Sequence, residues 1–461
     1  MLLGVALLST PAIASVVAGA LGLSGIGAAA PVVPAAPIVA VAPASAGIGI
    51  PEPFVGPDPV GGGSSLDLLA RLDGVTLLEQ LARLTPGEID AFVAGNPAAL
   101  ADLAARPPAA REVASWWARV PAESRAALSL DVPGVVGNLE GLPFGVRDAA
   151  NRTFLAQTIA GIHAQLDAGV GRAMEDELRK RLVMLSSVER ALETGSSGAE
   201  RTLIALDVEG EGRAVIGIGA LESADYVTFF VPGMYVGVTQ QLVDWAGNAE
   251  TSLLEQRAWL ERLGIEGEVA TVAWIGYHTP TVVSIGSLDV AYEGRAALTR
   301  SLQGLDAVRE VTGLRSAGAA HEPFVTVVAH SYGSTAAMIS LGHDDVAVDA
   351  LVLVGSPGGP AKTVHDLKVA GGNVWVAAAD SDPIPRTGVY GNQPLDEEFG
   401  AKVFSVKGMT DPVTGERLDD ISGHVYYFWP GTTAVRNTAL IAIDAGDLVS
   451  TDRVQRASAA R

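Results

Sequence analysis

Ser331 stands at the centre of Ala329-His330-Ser331-Tyr332-Gly333, between an uncharged, mostly β-branched run at 324–329 and an apolar run at 336–341. The first run predicts a fully buried strand, and the second continues at helical spacing. That places the serine in the strand–turn–helix context of a nucleophile elbow. Strand and helix backbones nearly touch in such a turn, so the positions two residues either side of the serine must be small. Ala329 and Gly333 meet that limit, with alanine standing where glycine is usual. A hydroxyl lifted out of the fold in this way becomes a nucleophile for acyl transfer once a base reaches it.

In this arrangement the acid and then the histidine follow the serine along the chain. The run 350–354 predicts one further strand. The next, 374–379, leads into Asp380-Ser381-Asp382-Pro383-Ile384. Carboxylates at the carboxyl end of a buried strand face the crevice where open sheets bind ligands. Asp382 is preferred as the acid because it lies just past the strand and Asp-Pro fixes its turn; Asp380 is the alternative. A strand at 402–406 precedes His424. Of the seven histidines, only His424 falls at the required place. His163 is far upstream, His321 precedes the elbow strand, His330 is on the turn itself, His343 ends the following helix and His365 precedes the acid. His278 follows another strand and is read as lining the pocket. Surface or capping roles suit most lone histidines, but three residue types in one order, each after a predicted strand, favour a triad.

A tetrahedral oxyanion needs two N–H donors. Tyr332, the residue after the serine, supplies one. The strand 226–231 ends in Pro232-Gly233-Met234. There Met234 is the second donor, and Gly233 shapes a turn close to the substrate oxygen. An ordinary Pro-Gly turn is the competing reading. The loop 276–289, with Tyr277, His278, Val282, Val283 and Ile285, suits a partly apolar pocket wall.

With these residues identified, the chain at about 110–445 resembles the actinobacterial α/β-hydrolase group long catalogued as a domain of unknown function (DUF1023). The resemblance is carried by Gly137-Asn138-Leu139-Glu140-Gly141-Leu142-Pro143 with Arg147-Asp148-Ala149-Ala150-Asn151-Arg152, by Phe230-Val231-Pro232-Gly233-Met234, by Ala273-Trp274-Ile275-Gly276-Tyr277-His278-Thr279-Pro280, and by Ala329-His330-Ser331-Tyr332-Gly333-Ser334. The group more often has glycine at the position of Ala329 and an acidic residue at that of His278. The resemblance implies a hydrolase fold and a serine triad, and names no substrate.

The elements that must position these groups follow from pattern. Strands alternating with helices from residue 201 onward imply a mostly parallel sheet covered on both faces. Within it, 203–208 and 213–218 flank Glu209-Gly210-Glu211-Gly212 as a hairpin, 250–263 and 291–308 read as helices and 269–275 as a strand. Residues 65–200 read as a helical region. Thr85-Pro86-Gly87-Glu88 forms a helix start with a capping box. Trp116-Trp117 is read as a packed anchor. Asn151-Arg152-Thr153 matches a glycosylation acceptor in a helical setting that argues against its use. The fold class is therefore α/β, with regions 1–64, 65–200 and 201–461.

Composition limits the alternatives. With 52 Asp+Glu against 31 Lys+Arg, the net charge is -21, and nucleic-acid binding is disfavoured. There is no cysteine, which removes thiolate nucleophiles, disulfides and thiolate zinc sites. No metal or other cofactor is called for. Residues 1–51 carry no charged side chain. Residues 1–30 are long enough to cross a bilayer but lack the basic start of a signal peptide. An uncleaved anchor, a signal with small-residue sites such as Ala44-Ser45-Ala46, and a misassigned start compete. Membrane association or export is favoured, with a cytoplasmic location as the alternative. Residues 31–64 read as a Pro/Ala/Gly linker. The expectation is a serine hydrolase acting on a small-molecule or lipid-like ester; the alternative is a catalytically weak or inactive scaffold of the cell envelope.

Overall fold

Stretches with no place for a charge become the interior of one sheet. The computed structural model describes residues 65–281, 284–311, 322–343 and 345–451. The apolar segment and linker at 1–64, Val282, Val283 and His321 lie outside the described residues. Eight strands pair in the order β1-β2-β4-β3-β5-β6-β7-β8. They are β1 (Arg201–Asp207), β2 (Arg213–Ile218), β3 (Tyr226–Val231), β4 (Val269–Ile275), β5 (Phe324–His330), β6 (Ala350–Val354), β7 (Val374–Ala377) and β8 (Lys402–Val403). The β1–β2 hairpin is antiparallel, as is the pairing of β2 with β4, while every pairing from β4 to β8 is parallel. All residues of β4 and β6 are buried. Helices on both faces leave no wet side, so these strands read as unbroken apolar runs.

The helices Phe144–Ala168, Arg172–Ala191, Val238–Leu263 and Thr433–Ala442 contribute to the core on one face. The helices Asp289–Val311 and Tyr332–His343 contribute to the other. Farther toward the amino end, Leu77, Leu78, Phe92, Trp116 and Trp117 share a separate apolar cluster, so the tryptophan pair is a packed anchor. The capping box at Thr85 is formed: the Glu88 carboxylate accepts from the Thr85 N–H at 2.9 Å and from its hydroxyl at 2.8 Å. Asn151 is wholly buried, its amide donating to the carbonyls of Gly137 and Leu203, where no glycan could be attached. No helix among the described residues is long and apolar enough to cross a membrane.

Two elements differ from their sequence patterns. The helix expected over 250–263 begins at Val238. Gly247 and Asn248 weaken helix propensity there, but Val238, Leu242, Trp245, Ala246 and Ala249 form a buried stripe that decides the matter. The strand expected over 402–406 keeps only Lys402–Val403 in the sheet. The Phe404 N–H still donates to the Val376 carbonyl of β7 at 3.1 Å; past it the chain peels away, and the Ser405 N–H donates to the Ser450 carbonyl.

Candidate active site

The turn after β5 forces Ser331 into the left-handed region, at φ 54°. Its N–H is anchored by the Val354 carbonyl of β6 at 3.0 Å. The turn closes only because its neighbours are small. A Cβ on Gly333 would lie 2.3 Å from the Pro232 carbonyl oxygen, and one on Gly233 would lie 2.6 Å from Ser331 Cβ. Ala329, at the end of β5, is fully buried, its methyl group accommodated without the usual glycine.

The structure brings Ser331, His424 and Asp382 together from three loops at the carboxyl edge of the sheet. Ser331 Oγ is 2.7 Å from His424 Nε2. His424 Nδ1 is 2.9 Å from Asp382 Oδ2 and 3.0 Å from Oδ1. All three residues are buried. Asp380 is on the other side of its turn, largely exposed, and is paired with Lys407 at 3.1 Å. Two residues of separation thus give one carboxylate to the imidazole and the other to solvent. Ser381 between them accepts from the Gly423 N–H at 2.8 Å, which ties the acid loop to the histidine loop.

Met234 and Tyr332 follow Gly233 and Ser331 respectively, and neither N–H meets an acceptor among the described residues. The first N–H groups of a helix have no partner within it, which leaves that of Tyr332 available. The Tyr332 side chain turns elsewhere: its hydroxyl accepts from the Ala291 N–H at 2.9 Å and donates to the Ser287 carbonyl at 2.8 Å. Burial raises its pKa, so it remains a hydroxyl.

Tyr277 and His278, adjacent in the loop expected as a pocket wall, have different surroundings. Tyr277 is wholly buried and its hydroxyl donates to the Pro232 carbonyl at 2.7 Å, bracing the turn that carries Gly233 and Met234. His278 is partly exposed and lies 3.2 Å from Glu293; that hydrogen bond raises the histidine pKa and lowers that of the glutamate. Ile285 is buried.

Residues given no role in the site by the sequence pattern complete it. Tyr427 Oη donates to Asp382 Oδ2 at 2.7 Å and accepts from the Ala379 N–H at 3.0 Å. Burial, then the Asp382 charge, pushes the Tyr427 pKa up, which keeps it a donor. The Ile384 N–H gives Asp382 Oδ1 another hydrogen bond at 3.0 Å. His330 Nε2 is 2.6 Å from the His424 carbonyl oxygen. A carbonyl only accepts, so Nε2 carries the proton. Burial, with His424 beside it, pushes the His330 pKa down to about 3. It is therefore a neutral prop under the His424 backbone. Gly355, at φ 62°, passes so close that a Cβ there would stand 3.1 Å from the His424 ring and 3.2 Å from Asp382 Oδ2. The only sequence signal for these groups is proximity to the motif residues. Among the described residues, no group of three or more His, Asp or Glu side chains is placed to hold a metal ion.

Sheet order, elbow and site geometry together define the α/β-hydrolase fold. Residues 207–390 match the family model described as "Alpha/beta hydrolase". The chain is 26% identical over 385 residues to an uncharacterized protein of Mycobacterium tuberculosis, found alike in strains CDC 1551 and H37Rv, the match taking in 74% of this chain. The chain spans 57% of the length of those curated relatives. Among solved structures it is similar to esterase LipW from Mycobacterium marinum, with 14% identity, 59% of this chain and 90% of that one covered, and a TM-score of 0.32. It is also similar to the hyperthermophilic esterase of Pyrobaculum calidifontis, with 12% identity, 65% and 97% covered, and a TM-score of 0.31. At those scores neither likeness bears on what this chain acts upon.

Proposed function

We propose that the protein is a serine hydrolase that cleaves a carboxylic ester. The observation that carries this reading is the unbroken chain of hydrogen bonds from Ser331 Oγ through His424 to Asp382, at 2.7 and 2.9 Å. In this reading Asp382 holds His424 in the tautomer with its proton on Nδ1. His424 Nε2 takes the Ser331 proton as Oγ attacks the acyl carbonyl. The N–H groups of Met234 and Tyr332 stabilise the oxyanion, and His424 protonates the departing alcohol. Water, deprotonated by His424, then attacks the acyl-enzyme carbonyl, and the acyl–Oγ bond breaks as His424 returns the proton to Ser331 and the acid leaves. The chemistry uses no cofactor. An apolar, lipid-like ester is favoured over a peptide because Val425, Tyr426 and Trp429, just past His424, are exposed apolar side chains.

A fluorophosphonate probe tests the reading. The wild type should be labelled at Ser331 and should hydrolyse short-chain nitrophenyl esters, and Ser331→Ala should do neither while keeping its circular dichroism spectrum. Retention of most of the wild-type rate in Ser331→Ala would remove Ser331 as nucleophile. Absence of labelling in the wild type would favour a scaffold that keeps hydrolase geometry without turnover. Association with a membrane or export through residues 1–30 is a further part of the proposal, supported by hydrophobic length alone. Recovery of the intact protein from the cytosolic fraction would remove it.

A further inference from the structure

A cavity of about 320 Å³ lies between the helices of the amino-terminal half and the outer edge of the sheet. That volume is at the lower end of the range for small-molecule sites. Leu103, Val135 and Phe154 wall it on one side, Val215 and Trp274 on the other, and none of Ser331, Asp382 or His424 lines it. Its floor is built around charge. Glu140 and Arg147 both line it and form an ion pair in which Arg147 is buried. Ser301 donates to the same carboxylate at 3.2 Å. Gly304 makes room for this arrangement, since a Cβ there would lie 2.1 Å from Glu140 Oε2.

Three acids and three arginines line the cavity, and all but one of them are paired. Arg213 donates twice to Asp207, at 3.0 and 2.7 Å. Glu209 at the rim pairs with Arg181 at 3.2 Å. Arg300 also lines the cavity; it is half-buried and has no hydrogen bond or ion pair among the described residues. Burial lowers its pKa, with Glu140 opposing the shift and the Arg213 charge adding to it. Arginine nevertheless keeps its proton in proteins, so one guanidinium with no hydrogen-bonded or ion-paired carboxylate faces a cavity whose other charges are paired. A half-buried guanidinium is best satisfied by an anion that accepts from its planar fork.

We propose that this cavity is a binding site for an anionic amphiphile, a carboxylate or phosphate head on a short hydrocarbon tail. The head would sit on Arg300 and the tail against Phe154, Leu103 and Val215. The site is distinct from Ser331 and does not depend on Ser331 being a nucleophile.

Calorimetric titration of the full chain carrying Ser331→Ala, with octanoate, octyl phosphate and octanol, tests it. Octanoate or octyl phosphate should bind at one site per chain, and the tighter of the two identifies the head group. Octanol should bind at least about tenfold more weakly. Arg300→Gln should weaken the favoured anion by about tenfold or more. Ala104→Trp, which replaces an exposed small residue of the lining, should block binding by filling the mouth. In the otherwise wild-type chain, neither substitution should alter labelling of Ser331. Equal affinity for octanol and the anions, undiminished binding in Arg300→Gln, or no binding of either anion would each overturn the proposal.

Discussion

Tyr427 Oη donates to Asp382 Oδ2 across 2.7 Å, so the carboxylate is oriented from outside as well as by the imidazole it faces. The Ile384 N–H holds its other oxygen. Removing the phenol should therefore loosen the acid without deleting it. A hydrogen bond to a charged group contributes about 1.5–3 kcal/mol. Tyr427→Phe is expected to lower kcat by about 10- to 100-fold with little change in KM. It also strands the Ala379 N–H, so its denaturant midpoint should fall. Steady-state kinetics on a nitrophenyl ester checks this, and an unchanged kcat would show that His424 and the Ile384 N–H position the acid without the phenol.

The two aspartates of the acid loop should separate cleanly. Asp382→Asn should lower kcat by roughly 10⁴-fold, because an amide at that place favours the wrong imidazole tautomer. Asp380→Asn should stay within a few-fold of wild type, since it loses only an exposed pair with Lys407. The reverse ranking would show that the histidine uses the other carboxylate in solution.

Gly233 lies directly against Ser331. A methyl group there would come 2.6 Å from Ser331 Cβ and 3.1 Å from Ser331 Oγ, so Gly233→Ala must displace the turn that carries the Met234 N–H. Loss of one oxyanion donor costs about 10²–10³ in kcat, and a fall of that size is expected, with the far-ultraviolet spectrum retained. Near-wild-type turnover in this variant would exclude the Pro232–Met234 turn from the oxyanion site.

His330 should make the protein acid-sensitive. Its pKa falls from the ordinary histidine value of 6.5 to about 3 in the fold. Between those values the unfolded chain holds a proton that the folded one does not. Stability is then fully present above pH 6.5 and declines as pH falls toward about 3, by up to about 1.4 kcal/mol per pH unit from this residue. His330→Gln should show a shallower loss of urea midpoint between about pH 6.5 and pH 5 than the wild type. Parallel slopes would mean that His330 takes up its proton inside the fold.

Much of the site was legible because its residues announce themselves locally. The serine is framed by a strand, two small neighbours and a helix. Asp382 and His424 each follow a run that becomes, at least in part, a strand. Other contributions depend on contacts that no window of sequence contains. Tyr427 reaches the acid, and His330 the backbone of His424, only once loops distant along the chain are folded against each other. Tyr277 was legible as part of the motif, but its burial beneath Pro232 depends on how its loop packs. The helix at 238–249 is hidden from a local reading because Gly247 and Asn248 argue against what the core demands.

The left-handed backbone of Ser331 has an evolutionary consequence. A residue with a side chain in that region costs about 1–2 kcal/mol relative to glycine, so the fold would relax if the serine were replaced by glycine. Thermal robustness and the Ser331 hydroxyl therefore pull in opposite directions at one codon. Selection for stability alone would favour glycine at this position.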